Sequence, residues 1–502
     1  MSLAVIPTCA VSGVTALAVN VEVHLGGGLP SLSIVGLPET AVRESKDRVR
    51  AALLNAGFEF PARRITINLA PADLPKHGGR FDLPIAIGIL TASGQLPAAA
   101  VEGWAFVGEL ALGGEIRGVA GVLPSALFAA GRAQKLVVPQ DNRDEAALAG
   151  GGNCIAAPDL LRLCGHFSGG ERLPFIGAAA FDALQNPVPG ADLVDVKGQH
   201  MARRALEIAA AGGHNLLFSG PPGTGKSMLA SRLPGILPPM TRAEALETAS
   251  VASVSQAGID PARFFIRPFR APHHTASGVA LVGGGSHPKP GEISLAHNGV
   301  LFLDELPEFS RQVLEVLREP LETGHITISR AGRQADFPAR FQLVAAMNPC
   351  PCGHFGDEGR ECRCTPAQIA RYQARVSGPF LDRIDLRVSV GRLDLSVLRQ
   401  NAAPAESSAA VRQRVLAARE RQLQRAGVAN AGLNGEMLQT HCRLSADDEC
   451  FLESVMQRLQ LSMRAYARIL RTARTIADLA EAEQIGRAHL LEALNYRNEP
   501  GA

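Results

Sequence analysis

Gly220-Pro-Pro-Gly-Thr-Gly-Lys-Ser227 is the stretch that decides the fold of this chain. It has the phosphate-loop pattern of a glycine, four further residues, and then Gly-Lys-Ser. The apolar run from Asn215 to Ser219 comes directly before it and predicts a strand, and a helix is predicted to begin at Lys226. Glycines let backbone amides wrap phosphates, Lys226 would reach the β and γ phosphates, and Ser227 would ligate Mg²⁺. The predicted ATP-binding loop comprises Gly220, Pro221, Pro222, Gly223, Thr224, Gly225, Lys226 and Ser227.

Two further strands are predicted to end in polar residues that complete a hydrolytic site. Gly299-Val-Leu-Phe-Leu-Asp304-Glu305 is an apolar strand ending in two acids. We expect Asp304 to hold Mg²⁺ and Glu305 to polarise the attacking water, although exposed acids at a helix start are the alternative. Asn348 follows the apolar run Ala345-Ala-Met and would orient that water, unless it is an ordinary turn residue.

Two arginines lie further along the chain. Phosphoryl transfer gains from a cation delivered to the developing γ charge, and in ring-forming ATPases the neighbouring subunit supplies it. Arg383, in Leu381-Asp-Arg-Ile-Asp-Leu386, is our candidate for this arginine finger, with a surface salt bridge as the alternative. Arg464 begins a predicted helix and could contact the phosphates from the other side, or be an ordinary helical arginine.

The hydrophobic pattern predicts an α/β multidomain chain. Residues 1–165 alternate strand-like runs with helical patterns, and residues 166–195, rich in Gly, Pro and acids, are predicted to be a linker. Residues 196–391 carry the nucleotide motifs and should form a P-loop core with a parallel sheet. Residues 392–502 contain four helical patterns, at residues 409–425, 446–460, 463–482 and 487–496, and should form a helical lid.

Composition limits the class of protein. A length of 502 residues exceeds what one core can organise, and 46% hydrophobic with 20% charged residues is typical of globular domains. No apolar run of about eighteen residues occurs, and no charged-then-apolar leader, which predicts a cytoplasmic protein without a membrane partner. A net charge of +2 neither predicts nor excludes nucleic acid, while one Trp and three Tyr offer few platforms for base stacking.

Long motifs now carry a close resemblance to the magnesium-chelatase-like AAA+ proteins, and specifically to their ComM/YifB branch. The stretches that resemble this branch are Ala271-Pro-His-His-Thr275, Val282-Gly-Gly-Gly-Ser286, Pro290 to Glu305 and Ser377 to Asp385. The resemblance covers nearly the whole chain. It implies a homo-hexameric ring and an ATP-dependent DNA helicase that drives branch migration, during homologous recombination in natural transformation.

Two segments resemble inserts that line the central channel of related helicases. One is the Gly-rich excursion from Pro272 to Pro290, and the other, Gly324 to Leu343, is predicted to be a β-hairpin with Arg330 and Arg333 at its turn. Repeated six times, Lys289, Arg330 and Arg333 would form a basic funnel for the backbone of single-stranded, double-stranded or branched DNA. The alternative is that these are solvated loop charges.

The N-terminal segment resembles the Lon-protease-like domain of this family. Asp82 stands where the protease serine would be, and Leu123 stands where its lysine would be. A nucleophile without its base has no route to acyl transfer, so we expect no peptidase activity. Assembly, or DNA contacts through Lys76, Arg80 or Arg117, are the roles we consider instead.

Four cysteines form the pattern Cys350-Pro-Cys352, nine residues, Cys362-Arg-Cys364. Four thiolates at this spacing could hold Zn²⁺ in a tetrahedral site, while reduced loop cysteines and a redox-active pair remain open. The nine cysteines of the chain suit a reducing compartment.

Two functions of different classes therefore remain. The first is a DNA-translocating hexameric ATPase. The second is a chelatase-type ATPase that remodels a protein partner for metal insertion. The Lon-like segment and the four-cysteine loop favour the first, because the chelatase motor that the core resembles usually lacks both.

Overall fold

The computed structural model describes residues 2–179, 190–255, 257–285, 288–330, 333–357, 359–392 and 405–497. The side chains of Arg330 and Arg333 lie outside the described part. The chain divides into two compact units. The first comprises Met1–Asn186, Arg242–Phe264 and Arg333–Phe337, and the second comprises Pro187–Thr241, Phe265–Gly332 and Pro338–Ala502.

The first unit contains two larger sheets and one short antiparallel pair of strands, Glu109–Leu110 with Ile116–Arg117. A four-stranded sheet has the order β1-β2-β4-β3, with β3 and β4 parallel and the other neighbours antiparallel. A three-stranded sheet with the order β5-β8-β9 is parallel throughout. The strands are β1 (Ser2–Ser12), β2 (Thr15–Gly26), β3 (Ser31–Val35), β4 (Arg64–Ala70), β5 (Trp104–Phe106), β6 (Glu109–Leu110), β7 (Ile116–Arg117), β8 (Lys135–Pro139) and β9 (Cys154–Ala157).

Helices cover these sheets and supply the first core. The helix Asp82–Ala92 is buried along almost its whole length, because its apolar residues face β1 and β2. The helices of this unit are Thr40–Arg43, Ser45–Asn55, Asp82–Ala92, Ala98–Val101, Val122–Gly131, Arg143–Leu148, Leu160–Phe167 and Arg242–Ser253.

The second unit contains a five-stranded parallel sheet with the order β11-β14-β17-β10-β18. All four residues of β10 and of β14 are buried, as expected for parallel strands covered on both faces. The sheet strands are β10 (Leu216–Ser219), β11 (Phe269–Arg270), β14 (Val300–Leu303), β17 (Gln342–Met347) and β18 (Leu386–Ser389). The predicted α/β class with a parallel sheet is therefore confirmed.

Short strands lie outside this sheet, where the two channel inserts are predicted. They are β12 (Gly283–Gly284), β13 (Lys289–Pro290), β15 (His325–Arg330) and β16 (Arg333–Pro338). The last two provide the arms of the predicted hairpin. Residues 331 and 332 lie outside the described part.

Helices of the second unit pack on the sheet and continue to its C-terminal end. They are His200–Gly212, Lys226–Ala230, Leu233–Ile236, Gly278–Val282, Glu292–Leu295, Arg311–Val316, Arg318–Thr323, Pro366–Gln373, Gly378–Leu381, Ser408–Ala426, Gly435–His441, Ala446–Arg458, Met463–Leu479 and Arg487–Asn495. One apolar core joins the sheet, His200–Gly212, Ser408–Ala426 and Met463–Leu479. Of the helices described here, none combines the length and apolar character that a membrane crossing requires. The division into residues 1–165, 166–195, 196–391 and 392–502 stays a prediction.

Candidate nucleotide site

The phosphate loop lies between the end of β10 and the helix Lys226–Ala230, as predicted. Gly220 and Gly225 illustrate two different reasons why its backbone needs glycine. A Cβ on Gly220 would lie 2.1 Å from the carbonyl oxygen of Val390, so a side chain there would collide with backbone. Gly225 has a φ of +87°, which side-chain-bearing residues rarely adopt, immediately before Lys226.

Lys226 is held inside the loop by three acceptors. Its Nζ donates to the carbonyl oxygens of Gly220 at 2.7 Å and Pro221 at 2.8 Å, and to Oδ1 of Asn348 at 3.1 Å. The residue is 8% exposed, and desolvation lowers the pKa of its ammonium while the nearby charge of Asp304 acts in the opposite direction. The ammonium is therefore aimed at the loop and linked to the Asn348 strand.

Ser227 and Asp304 meet at the position predicted for Mg²⁺. Oγ of Ser227 donates to Oδ2 of Asp304 at 2.5 Å, and the backbone N–H of Glu305 donates to Oδ1 at 2.9 Å. A hydroxyl and a carboxylate side by side are the oxygen ligands that Mg²⁺ takes in proteins. These two residues fit the ion that the motif implies.

Glu305 has a partner that the sequence analysis missed. Its Oε2 lies 3.0 Å from Nδ1 of His274, and the Glu305 side chain is 54% exposed. Glu305 also has a φ of +53°, an uncommon conformation for a residue with a side chain. His274 belongs to the Ala271-Pro-His-His-Thr275 motif. In the sequence analysis this motif was used to infer the family, and no role was predicted for its histidines. The backbone and the histidine together direct the carboxylate.

The sheet order explains how Asn348 reaches the site. Strand β17 lies between β10 and β14, so the residue after β17 is between the phosphate loop and the acidic pair. The 122-residue separation of Lys226 and Asn348 is closed by this strand pairing. The structure thus brings together Lys226, Ser227, Asp304 and Asn348, with Glu305 next to Asp304.

Arg383 and Arg464 differ in their exposure to solvent. Arg383 is 6% exposed, and its guanidinium pairs with Glu322 and donates to the carbonyl oxygen of Pro379 at 2.6 Å. Burial lowers its pKa, and the positive charges of Arg318 and Arg464 act in the same direction. Arg464 itself is exposed, in the first turn of Met463–Leu479. The side-chain hydrogen bonds of Arg383 described here go to Glu322 and Pro379, and neither residue belongs to the phosphate loop.

Of the three candidate DNA-binding residues, Lys289 alone has a side chain within the described part of the structure. Lys289 is exposed on β13, where it pairs with Gly284 of β12. Arg330 and Arg333 end β15 and begin β16, but their side chains lie outside the described part. The assignment of all three to DNA stays a prediction.

The N-terminal unit shows why Asp82 is compatible with its fold. Asp82 is fully buried and accepts hydrogen bonds from Nε of Arg48 at 2.8 Å, the backbone N–H of Leu110 at 3.2 Å and the Ser45 hydroxyl. Leu123 is also fully buried. Asp82 thus accepts buried hydrogen bonds and Leu123 fills interior space, and the absence of peptidase activity stays a prediction.

Two suggested DNA contacts in this unit were wrong. Lys76 is fully buried, with its ammonium on the carbonyl oxygen of Pro71. Arg80 is 6% exposed and donates to Oγ of Ser125 at 2.7 Å. Both side chains are buried because neighbouring chain segments fold over them. The local sequence does not reveal this burial. Arg117 is exposed.

The four cysteines converge. The Sγ atoms of Cys350, Cys352, Cys362 and Cys364 all lie within 4.8 Å of one another. His354, inside the same loop, is turned away to Asp357, with 3.0 Å between Nδ1 and Oδ2. The loop therefore presents a four-sulfur cluster.

Three family models match the chain in succession. They are "Subunit ChlI of Mg-chelatase" over residues 21–142, "Magnesium chelatase, subunit ChlI" over residues 192–398, and "Magnesium chelatase, subunit ChlI C-terminal" over residues 405–497. Together they span the phosphate loop, the acidic pair, both arginines and the four cysteines.

Some individual relatives match over almost the full length of the chain, and another matches part of it. The chain is 54% identical over 499 residues to the competence protein ComM of Haemophilus influenzae, covering 99% of this chain and 98% of that protein. It is 52% identical over 499 residues to the uncharacterized protein YifB of Escherichia coli, covering 99% and 97%. A magnesium-chelatase 38 kDa subunit of Cereibacter sphaeroides is 25% identical over 330 residues, covering 61% of this chain and 90% of that subunit.

Proposed function

The chain belongs to the magnesium-chelatase-like AAA+ family, as a protein of the ComM/YifB type, and from this premise we propose that it is a DNA-translocating ATPase. In this proposal it acts as a homo-hexameric ring that drives branch migration during homologous recombination in natural transformation. Family membership alone suggests an ATPase. The observation that carries the proposal is the convergence of Lys226, Ser227, Asp304 and Asn348 in a chain 54% identical to a competence protein.

The first half of the mechanism is binding of Mg-ATP. The amides of Gly220–Ser227 would surround the phosphates, and Lys226 would exchange two carbonyl acceptors for β and γ phosphate oxygens. That exchange is favourable because a buried ammonium gains a full negative charge in place of carbonyl dipoles. Ser227 and Asp304 would hold Mg²⁺, which when bound neutralises charge on the β and γ oxygens.

The second half is activation of water. Glu305 would accept a hydrogen bond from the attacking water, and His274 holds that carboxylate in place at 3.0 Å. Asn348 contacts Lys226, so its amide would lie beside the γ phosphate and orient the same water. These residues perform positioning and electrostatic work, which dominates phosphoryl transfer.

Arg383 would complete the site of the neighbouring subunit in the hexamer. Its pairing with Glu322 in one subunit means that the finger must leave this acid before it reaches a neighbour's γ phosphate. Arg464 would contribute a second cation. Because Arg383 would act only after it leaves Glu322 for a neighbouring subunit, ATP hydrolysis would depend on assembly of the hexamer.

DNA would pass through the central channel. Lys289 and the arginines Arg330 and Arg333, repeated around a hexamer, would bind phosphates without reading bases. This agrees with the few aromatic residues of the chain. The protein would work in the cytoplasm with DNA as its partner, using ATP and Mg²⁺; Zn²⁺ is a separate proposal for the four cysteines.

The alternative is a chelatase-type motor that remodels a protein partner. Its support is the 25% identity to a magnesium-chelatase subunit over 330 residues. The match to ComM extends over 99% of this chain, including the N-terminal unit, and therefore favours the DNA motor.

Steady-state ATP hydrolysis by the full chain, with and without single-stranded, duplex and four-way branched DNA, tests the proposal. We expect stimulation by DNA and ATP-dependent migration of the branch point. Lys226→Ala should abolish nucleotide binding, and Glu305→Gln should bind ATP, barely hydrolyse it and trap the assembled ring. Glu319→Gln, a change at an exposed acid, is the matched control. No DNA binding and no stimulation by any DNA form would favour the protein-remodelling alternative.

A further inference from the structure

We propose that Cys350, Cys352, Cys362 and Cys364 bind one structural Zn²⁺, and that this centre holds the loop that carries Asn348 against the phosphate loop. The metal part of this proposal is independent of DNA. Its link to ATP hydrolysis rests on the function proposed above.

The sulfur–sulfur distances fit one tetrahedral ion. Sγ of Cys350 lies 3.4 Å from that of Cys352 and 3.7 Å from that of Cys362, and the Cys352–Cys362 distance is 3.6 Å. A Zn–S bond of about 2.3 Å in a regular tetrahedron places sulfurs roughly 3.8 Å apart. The fourth sulfur, of Cys364, lies within 4.8 Å of the others. The three edges among Cys350, Cys352 and Cys362 therefore differ from those of a regular tetrahedron by a few tenths of an ångström.

A disulfide does not account for this arrangement. Bonded sulfurs are about 2.05 Å apart, and all four of these cysteines are free. A disulfide would also bring together two sulfurs at a time, whereas here four converge on one point from two separate Cys-x-Cys segments. Convergence of four is what a shared ion requires.

Metal binding by these four cysteines requires their thiolate forms. Binding would release one proton from each of the four thiols to solvent and leave a zinc–thiolate unit with two negative charges, with no change of oxidation state.

The ligand set selects the metal class and its role. Four thiolates favour Zn²⁺ over Mg²⁺ or Ca²⁺, which take oxygen ligands. His354 makes its hydrogen bond to Asp357 and stays outside the cluster. Four protein ligands leave no open position for water, so the centre is structural and not catalytic.

The cluster adjoins the nucleotide site through short connections. Cys350 follows Asn348 by two residues, and Nε2 of Gln373 donates to the intervening Pro349 carbonyl at 3.2 Å. Gly353 has a φ of +81°, and a Cβ on it would lie 2.6 Å from Cδ of Pro222 in the phosphate loop. The same Cβ would be 3.8 Å from Cγ of Asn348. The cysteine loop therefore lies close to the phosphate loop and to Asn348, both of which contact Lys226.

Metal analysis of the full chain, purified without a His-tag, is the primary test. We expect close to one zinc per chain, released when a mercurial reagent titrates the thiols of the folded protein. Cys352→Ser with Cys362→Ser should abolish zinc binding, and Cys450→Ser, at an exposed cysteine outside the cluster, should retain it. Cobalt loaded in place of zinc should show the intense thiolate absorption of a tetrahedral site.

Limited proteolysis and ATPase assays test the consequence. Zinc release should open residues 349–366 to proteases and lower ATP hydrolysis several-fold, whereas the Cys450→Ser protein should change in neither. Protein without metal but with a protected loop, iron in place of zinc, or a disulfide found under non-reducing conditions would overturn the zinc assignment. Stoichiometric zinc whose release leaves ATP hydrolysis unchanged would overturn the proposed link to Asn348, without affecting the ATPase proposal itself.

Discussion

The pair between Arg383 and Glu322 gives the sharpest test of the arginine finger, through the change Glu322→Gln. Arg383 is 7% exposed in its side chain and Glu322 is 55% exposed, so solvent screens the attraction between them. Partly exposed pairs of this kind contribute about 1 kcal/mol or less. Glutamine keeps an acceptor but removes the charge, and Arg383 keeps its hydrogen bond to Pro379.

The two roles of Arg383 predict opposite results. If Arg383 must leave Glu322 to act in a neighbouring subunit, loss of about 1 kcal/mol should raise the released population and ATP hydrolysis by up to about fivefold. Arg383→Ala should lower hydrolysis by a factor on the order of 10³ while ATP still binds. If the pair only stabilises the structure of its own subunit, Glu322→Gln should instead lower the rate of ATP hydrolysis in the same way as Arg383→Ala.

Steady-state ATPase rates of assembled rings at saturating ATP make the measurement. Glu319→Gln changes an exposed acid on the same helix and should leave the rate unchanged. Urea unfolding should show that Glu322→Gln costs no more than about 1 kcal/mol of stability. A fall in rate to that of Arg383→Ala, in protein of normal stability and assembly, would refute the finger.

Three further outcomes follow from the site. His274→Ala should lower the rate of hydrolysis about fivefold without weakening ATP binding, because Glu305 loses a half-exposed partner worth about 1 kcal/mol; an unchanged maximal rate would exclude that role. Rings mixing Arg383→Ala with Lys226→Ala subunits should regain some activity, since one type of interface then joins two intact half-sites; verified mixed rings without rescue would count against action in trans. Neutralising the channel cations should weaken DNA binding and flatten its salt dependence while basal ATPase survives, and unaltered binding would move the DNA site elsewhere. These cations are Lys289, Arg330 and Arg333.

Much of the second unit could be predicted from local pattern. The helix Ser408–Ala426 was expected at residues 409–425, and Arg487–Asn495 at residues 487–496. The strand before the phosphate loop was expected at Asn215–Ser219 and is observed at Leu216–Ser219. Hydrophobic periodicity and capping residues act within a few positions along the chain, so they can be recognised from the sequence alone.

Side-chain partners were decided by the tertiary structure. The sequence by itself determined which residue types stand at the nucleotide motif and in what order, and hence the class of chemistry. Whether Lys76 is exposed, which acid Arg383 pairs with, and that His274 holds Glu305 depended on chain segments brought together by folding. The physical reason is that burial and ion pairing are set by sheet order and packing between distant segments, which no local spacing encodes.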